Sequence, residues 1–81
     1  MATVRVLLFA SYAEALGASS LDVELGPSAR VRDVLASVRD RAGAIRLPPS
    51  PLVAVNEQYA TLDDPISERD EVAIIPPEAG G

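Results

Sequence analysis

The sequence is 81 residues of 8.5 kDa, 48 % hydrophobic and 23 % charged, with a net charge of −5 and a pI near 4.4. That is the composition of one globular domain, and its acidity is unsuited to the phosphates of nucleic acid or of an anionic membrane surface. It holds no cysteine or histidine, and its seven basic residues are all arginine, which excludes a disulfide framework, a zinc finger, a thiol nucleophile, a histidine-based triad and a Schiff-base lysine.

Thr3 to Ala10 reads as the first strand, with Val4, Val6 and Leu8 on one face and Leu7 and Phe9 on the other. Apolar residues on both faces suit a central strand, or one face offered to a partner. Ser11 and Glu14 have the spacing of a capping box, predicting a short helix that ends at Leu16 because Gly17 suits a left-handed stop. Leu21, Val23 and Leu25 alternate with Asp22 and Glu24 as a half-buried strand, closed by Gly26-Pro27. Val31, Val34, Leu35, Val38 and Ala42 form the stripe of the main helix, with Arg32, Asp33, Arg39 and Asp40 turned outward. Ser28 is the expected N-cap, Arg30 being a poor one, and Gly43 the stop.

Arg46 to Pro51 carries three prolines and reads as an ordered loop. Leu52 to Val55 is a short strand, Asn56-Glu57 a turn, and Gln58 to Ala60 a further strand. Leu62 to Ile66 reads as a connector with Leu62 and Ile66 as its two apolar anchors, followed by a polar turn, Ser67 to Asp70. Glu71 to Ile75 is the last strand, with Val72 and Ile74 on one face and Ala73 and Ile75 on the other. One helix stripe must be covered by one sheet face, which gives a two-layer α+β domain. The first and last strands are the most apolar, so they belong side by side in the middle, and the crossover helix makes that pair parallel. The arrangement is a ubiquitin-like β-grasp: a mixed sheet on one main helix.

The domain is expected to span residues 1–76, and an extended C-terminal tail residues 77–81. Pro76-Pro77 stops the sheet and holds Glu78-Ala79-Gly80-Gly81 away from the domain. Two glycines pass through a narrow channel, and a glycyl carboxylate is the least hindered acyl group a backbone offers. Terminal glycines are also what an ordinary frayed end contains. Asp63, Asp64, Asp70 and Glu71 lie at a connector and a turn without metal-ligand spacing, so they read as solvated turn acids; no metal site is expected. The apolar run Val6 to Ala10 is far short of a membrane span. No basic stretch precedes an apolar one at the start, so no signal peptide is read and a cytoplasmic location is expected.

Asp70 to Gly81, with its Pro-Pro-x-x-Gly-Gly ending, resembles the C-terminal signature of the small, sulfur-carrying subunit of molybdopterin synthase, the MoaD family. Val6 to Ala10 with Ala15-Leu16-Gly17 resembles that family's first strand and helix, and Ala54 to Glu57 its middle turn. The resemblance implies chemistry at the chain terminus rather than at side chains. A ubiquitin-activating-like adenylyltransferase would use ATP-Mg to adenylate the Gly81 carboxylate, and sulfur would replace AMP to leave a thiocarboxylate. The large synthase subunit would accept the tail and pass the sulfur to a pterin precursor. The chain itself would bind no cofactor and would be a sulfur donor rather than an enzyme, its catalytic side chains lying on the partner.

The resemblance also implies docking through an apolar sheet patch, here Phe9, Tyr59 and Ile75. Ile75 stands where many members carry an aromatic residue, and Glu78 where they carry a small or apolar one. Carriers for thiamine or tRNA thiolation, and ubiquitin-like protein modifiers, would use the same terminus. A β-grasp interaction module with an accidental Gly-Gly is the remaining alternative.

Overall fold

The computed structural model describes residues 2–43, 47 and 51–76. Strand β1 (Ala2–Leu8) leads into helix α1 (Ala10–Leu16), strand β2 (Ser20–Leu25), helix α2 (Val31–Ala42), strand β3 (Leu52–Val55), strand β4 (Gln58–Tyr59) and strand β5 (Glu71–Ile75). This is the element order the sequence predicts. The five strands form one sheet in the order β2-β1-β5-β3-β4. β1 and β5 lie parallel in the interior, with Val6 opposite Val72 and Leu8 opposite Ile74, while the other pairings are antiparallel. The fold is an α+β, ubiquitin-like β-grasp.

The helix stripe dictates which sheet face is covered. Val31, Val34, Leu35, Val38 and Ala42 are all buried. Val4, Val6, Leu8, Val23, Val53, Val72 and Ile74 meet them from the sheet, and Val4, Val6, Val72 and Ile74 lose all their exposure. Each such side chain is worth about 1.5–3 kcal/mol against remaining in water, so this single interface carries most of the stability. Tyr12 of α1 is buried in the same core. Burial pushes its phenol up from its ordinary value, against the lowering effect of the Arg39 charge.

Both helix starts differ from the expected caps. The α1 N-cap is Phe9, and no side chain caps that end. Phe9 donates its N–H to the Ile74 carbonyl at 3.3 Å, so it still belongs to the ladder, and its own carbonyl accepts from Tyr12 N–H at 3.1 Å. The chain turns at Ala10, whose φ of 49° is left-handed, which leaves Ser11 inside the first turn and unable to cap. Gly17, with φ 67°, stops α1 where expected.

The α2 N-cap is Arg30, not Ser28, which has φ 62° in the preceding turn. Asp33 accepts the Arg30 backbone N–H at 2.7 Å. The next two amides find tertiary carbonyls: Val31 N–H donates to Asp64 at 3.0 Å and Arg32 N–H to Leu62 at 3.1 Å. The connector therefore caps α2 with its backbone. This also corrects the reading of Leu62 as an apolar anchor. Its carbonyl does the anchoring, and its side chain is 49 % exposed, whereas Ile66 is buried as expected. The ion pair of Arg32 with Asp63 lies over the same junction.

Of the proline-rich loop expected at Arg46 to Pro51, only Leu47 and Pro51 are among the described residues, and Leu47 packs against the core. No helix among the described residues is long and apolar enough to cross a membrane.

Candidate functional site: the open face of the sheet

Strand alternation that buries Val6, Val72 and Val53 beneath α2 must turn their neighbours to the opposite face. Leu7 stands opposite Ala73, Ala73 opposite Ala54, and Ala54 opposite Tyr59. These four make one row across β1, β5, β3 and β4. The next row pairs Ile75 with Leu52, and Phe9 extends β1 beside them through its bond to Ile74. Because Ala54 and Ala73 are small, the middle of the face is hollow. A groove results, lined by Leu7, Phe9, Ala54, Glu57, Tyr59, Glu71, Ala73 and Ile75.

Large apolar side chains in and beside the groove remain uncovered. Phe9 is 45 %, Leu52 42 % and Tyr59 76 % exposed. An aromatic pair, a leucine and an isoleucine around a two-alanine floor form a contiguous apolar surface of the kind that marks an interaction site. All three patch residues expected from the sequence, Phe9, Tyr59 and Ile75, line this one groove. Leu7 and Ala73 were legible as open-face residues from alternation alone. Ala54, Leu52 and Glu57 were not, because their place depends on how β3 and β4 register against β5.

The hairpin wall is held by a polar clamp. Asn56 and Glu57 form the two-residue β3–β4 turn with φ of 52° and 70°, the left-handed pair that two-residue hairpins need. The Asn56 side-chain amide donates to Asp70 at 2.9 Å while its oxygen accepts Glu71 N–H at 2.9 Å. Asp70 also accepts Ser67 N–H at 2.8 Å. These two donors, Ser67 first and Asn56 second, hold the Asp70 carboxyl below the usual carboxylate range. Asp64 accepts Thr61 N–H at 2.9 Å. Among the described residues, no three histidine, cysteine, aspartate or glutamate side chains gather as a metal set.

The groove runs the length of β5, from Glu71 to Ile75. Ile75 is the last residue of that strand, and Pro76, half-buried, follows at once without an N–H to continue the ladder. Pro77, Glu78, Ala79, Gly80 and Gly81 lie outside the described residues.

A β-grasp sheet with one apolar face open, and a Pro-Pro-x-x-Gly-Gly segment following its central last strand, defines the class of small carrier and modifier domains. The sequence profile of the ThiS family matches residues 6–81, and the chain belongs to that family. It is similar to the molybdopterin synthase sulfur carrier subunits of Chlamydomonas reinhardtii, 35 % identical with 96 % of this chain and 98 % of the relative covered, and of Aedes aegypti, 38 % identical with 96 % and 88 % covered. Among solved structures, the Haloferax volcanii small archaeal modifier protein 1 superposes with a TM-score of 0.82 at 26 % identity, covering 95 % of this chain and 99 % of that one. The complex of subunits 1 and 2 of the Helicobacter pylori molybdopterin-converting factor contains a chain of the same fold, with a TM-score of 0.68 at 18 % identity and coverage of 98 % and 99 %.

Proposed function

We propose that this chain is the sulfur carrier of a molybdopterin synthase, acting through the carboxylate of Gly81. The observation that carries the reading is the open apolar groove ending where β5 gives way to Pro76, so that docking on the face places the following segment at the partner. Full-length likeness to molybdopterin synthase sulfur carrier subunits supports the same reading. In this reading residues 1–76 are the recognition domain and residues 77–81 the delivering arm.

The carboxylate oxygen of Gly81 attacks the α-phosphorus of ATP in a partner adenylyltransferase, and pyrophosphate leaves. The acyl adenylate then accepts a sulfur nucleophile at its carbonyl carbon, and AMP leaves with the former carboxylate oxygen. The thiocarboxylate sulfur bonds to a pterin precursor in the large synthase subunit, in the cytoplasm. Water then attacks the acyl carbon, breaking its C–S bond so that the sulfur stays on the pterin and Gly81 returns to a carboxylate. Side chains for proton transfer and phosphate binding belong to the partners in this scheme; this chain contributes shape, reach and an unhindered acyl group. ATP-Mg is the activating partner's co-substrate.

The test is intact-mass measurement after incubation with the activating enzyme, ATP and a sulfur source. The expected product is heavier by the exchange of one oxygen for sulfur, and deletion of Gly81 abolishes that conversion. An unchanged mass under conditions that convert a known carrier overturns the reading. The likeness to a small archaeal modifier protein favours one second reading, in which the Gly81 acyl group is joined to a lysine of another protein. Gly81-linked adducts in place of the thiocarboxylate would establish it.

A further inference from the structure

The open groove is apolar in the middle but acidic at one end. Glu57, from the β3–β4 turn, and Glu71, the first residue of β5, line it together with Tyr59 and Ala73. Among the described residues neither carboxylate has an ion-pair partner. Arg5 stands opposite Glu71 in the β1–β5 register but does not pair with it.

Glu57 is there against its backbone preference. Its φ of 70° falls in the second position of a two-residue hairpin, where glycine after asparagine is the favoured choice. A side chain kept in that conformation is local strain, and strain of this kind collects at functional positions. The chain thus holds a glutamate at the groove's rim where turn chemistry alone favours glycine.

We infer that the docking partner presents a lysine or arginine to Glu57 and Glu71, next to an apolar side chain that seats on the Ala54–Ala73 floor. A second copy of this chain does not meet that description. It carries the same net charge of −5, and its matching face supplies Glu57 and Glu71 again, with Asp22 and Glu24 beside its one arginine, Arg5, on the neighbouring strands. The inference rests on the reading of the chain as a carrier that docks on a larger subunit, and it names the chemistry of that subunit's surface. Opposite charges flanking a desolvated apolar contact act mainly on the rate and the register of encounter.

The test is stopped-flow association of the full chain with the large synthase subunit of the same organism over a range of salt concentrations. The wild-type on-rate is expected to fall steeply with salt. The double variant Glu57→Gln, Glu71→Gln is expected to lose about tenfold in on-rate at low salt, with a flattened salt slope and a smaller change in off-rate. Glu57→Gly separates the charge from the fold: it is expected to melt higher, as the turn is relieved, yet to associate more slowly. Binding with an unchanged on-rate and salt slope in the double variant overturns this inference alone. A wild-type chain that fails to bind the subunit overturns the carrier reading and this inference with it.

Discussion

The two faces of the sheet are made by the same strands, yet they are built to different rules. Beneath α2, branched aliphatic residues from β1, β2, β3 and β5 are buried to a few per cent exposure. One residue further along each strand, the open face sets two alanines among large side chains that stay partly or largely exposed. Close packing leaves no slack on the first face, so any lost volume is felt as stability. The second face has a hollow and unfilled contacts, so changes there should be felt in binding. Neighbouring residues on one strand therefore carry separate duties, and Ile74 and Ile75 are the sharpest pair.

Ile74→Ala should produce the largest effect on folding. It removes volume from a fully buried site and should cost about 2–5 kcal/mol, measured by urea unfolding. Ile75→Asp, one residue on, should change unfolding by no more than about 1 kcal/mol while weakening partner binding at least about tenfold, read by titration calorimetry. If the two substitutions cost similar stability, the division between the faces is wrong. Asp70→Asn should give the smallest effect, under about 1 kcal/mol at neutral pH. Asp70 is held below its ordinary pKa in the fold, so its contribution is full above the unfolded value, near pH 4, and is lost as pH falls through the folded one. The variant's stability should therefore decline less between neutral and acid pH than that of the wild type, followed by thermal melts across that range. This sharpens the comparison by showing that the hairpin wall of the open face is held by polar groups rather than by core burial.

Much of this architecture can be read from residue spacing. The stripe from Val31 to Ala42 and the doubly apolar strands at both ends of the chain are period signals, and periods survive without knowledge of neighbours. What could not be read were the places where a backbone group finds a partner far along the chain. Ser11 loses the α1 cap because Phe9 is still bonded to Ile74. Ser28 loses the α2 cap because carbonyls at Leu62 and Asp64 receive the first-turn amides. Leu62 is exposed for the same reason. The candidate site divides similarly: Phe9 and Ile75 were legible from strand alternation as well as from likeness to a family, Tyr59 from the likeness alone, whereas Ala54 and the acidic rim needed the strand register. Glu57 is an ordinary turn acid in sequence, and becomes notable only through its left-handed backbone.

The placement of β5 has a mechanical consequence. It is an interior strand, hydrogen-bonded to β1 on one side and β3 on the other, and it runs parallel to β1 over four paired residues from Arg5–Glu71 to Leu8–Ile74. Tension applied between the first strand and the segment after Ile75 would load those rungs together, in shear, instead of opening them one at a time from an edge. A pull on the chain at that point is therefore resisted by the body as a whole, without unzipping it from an edge.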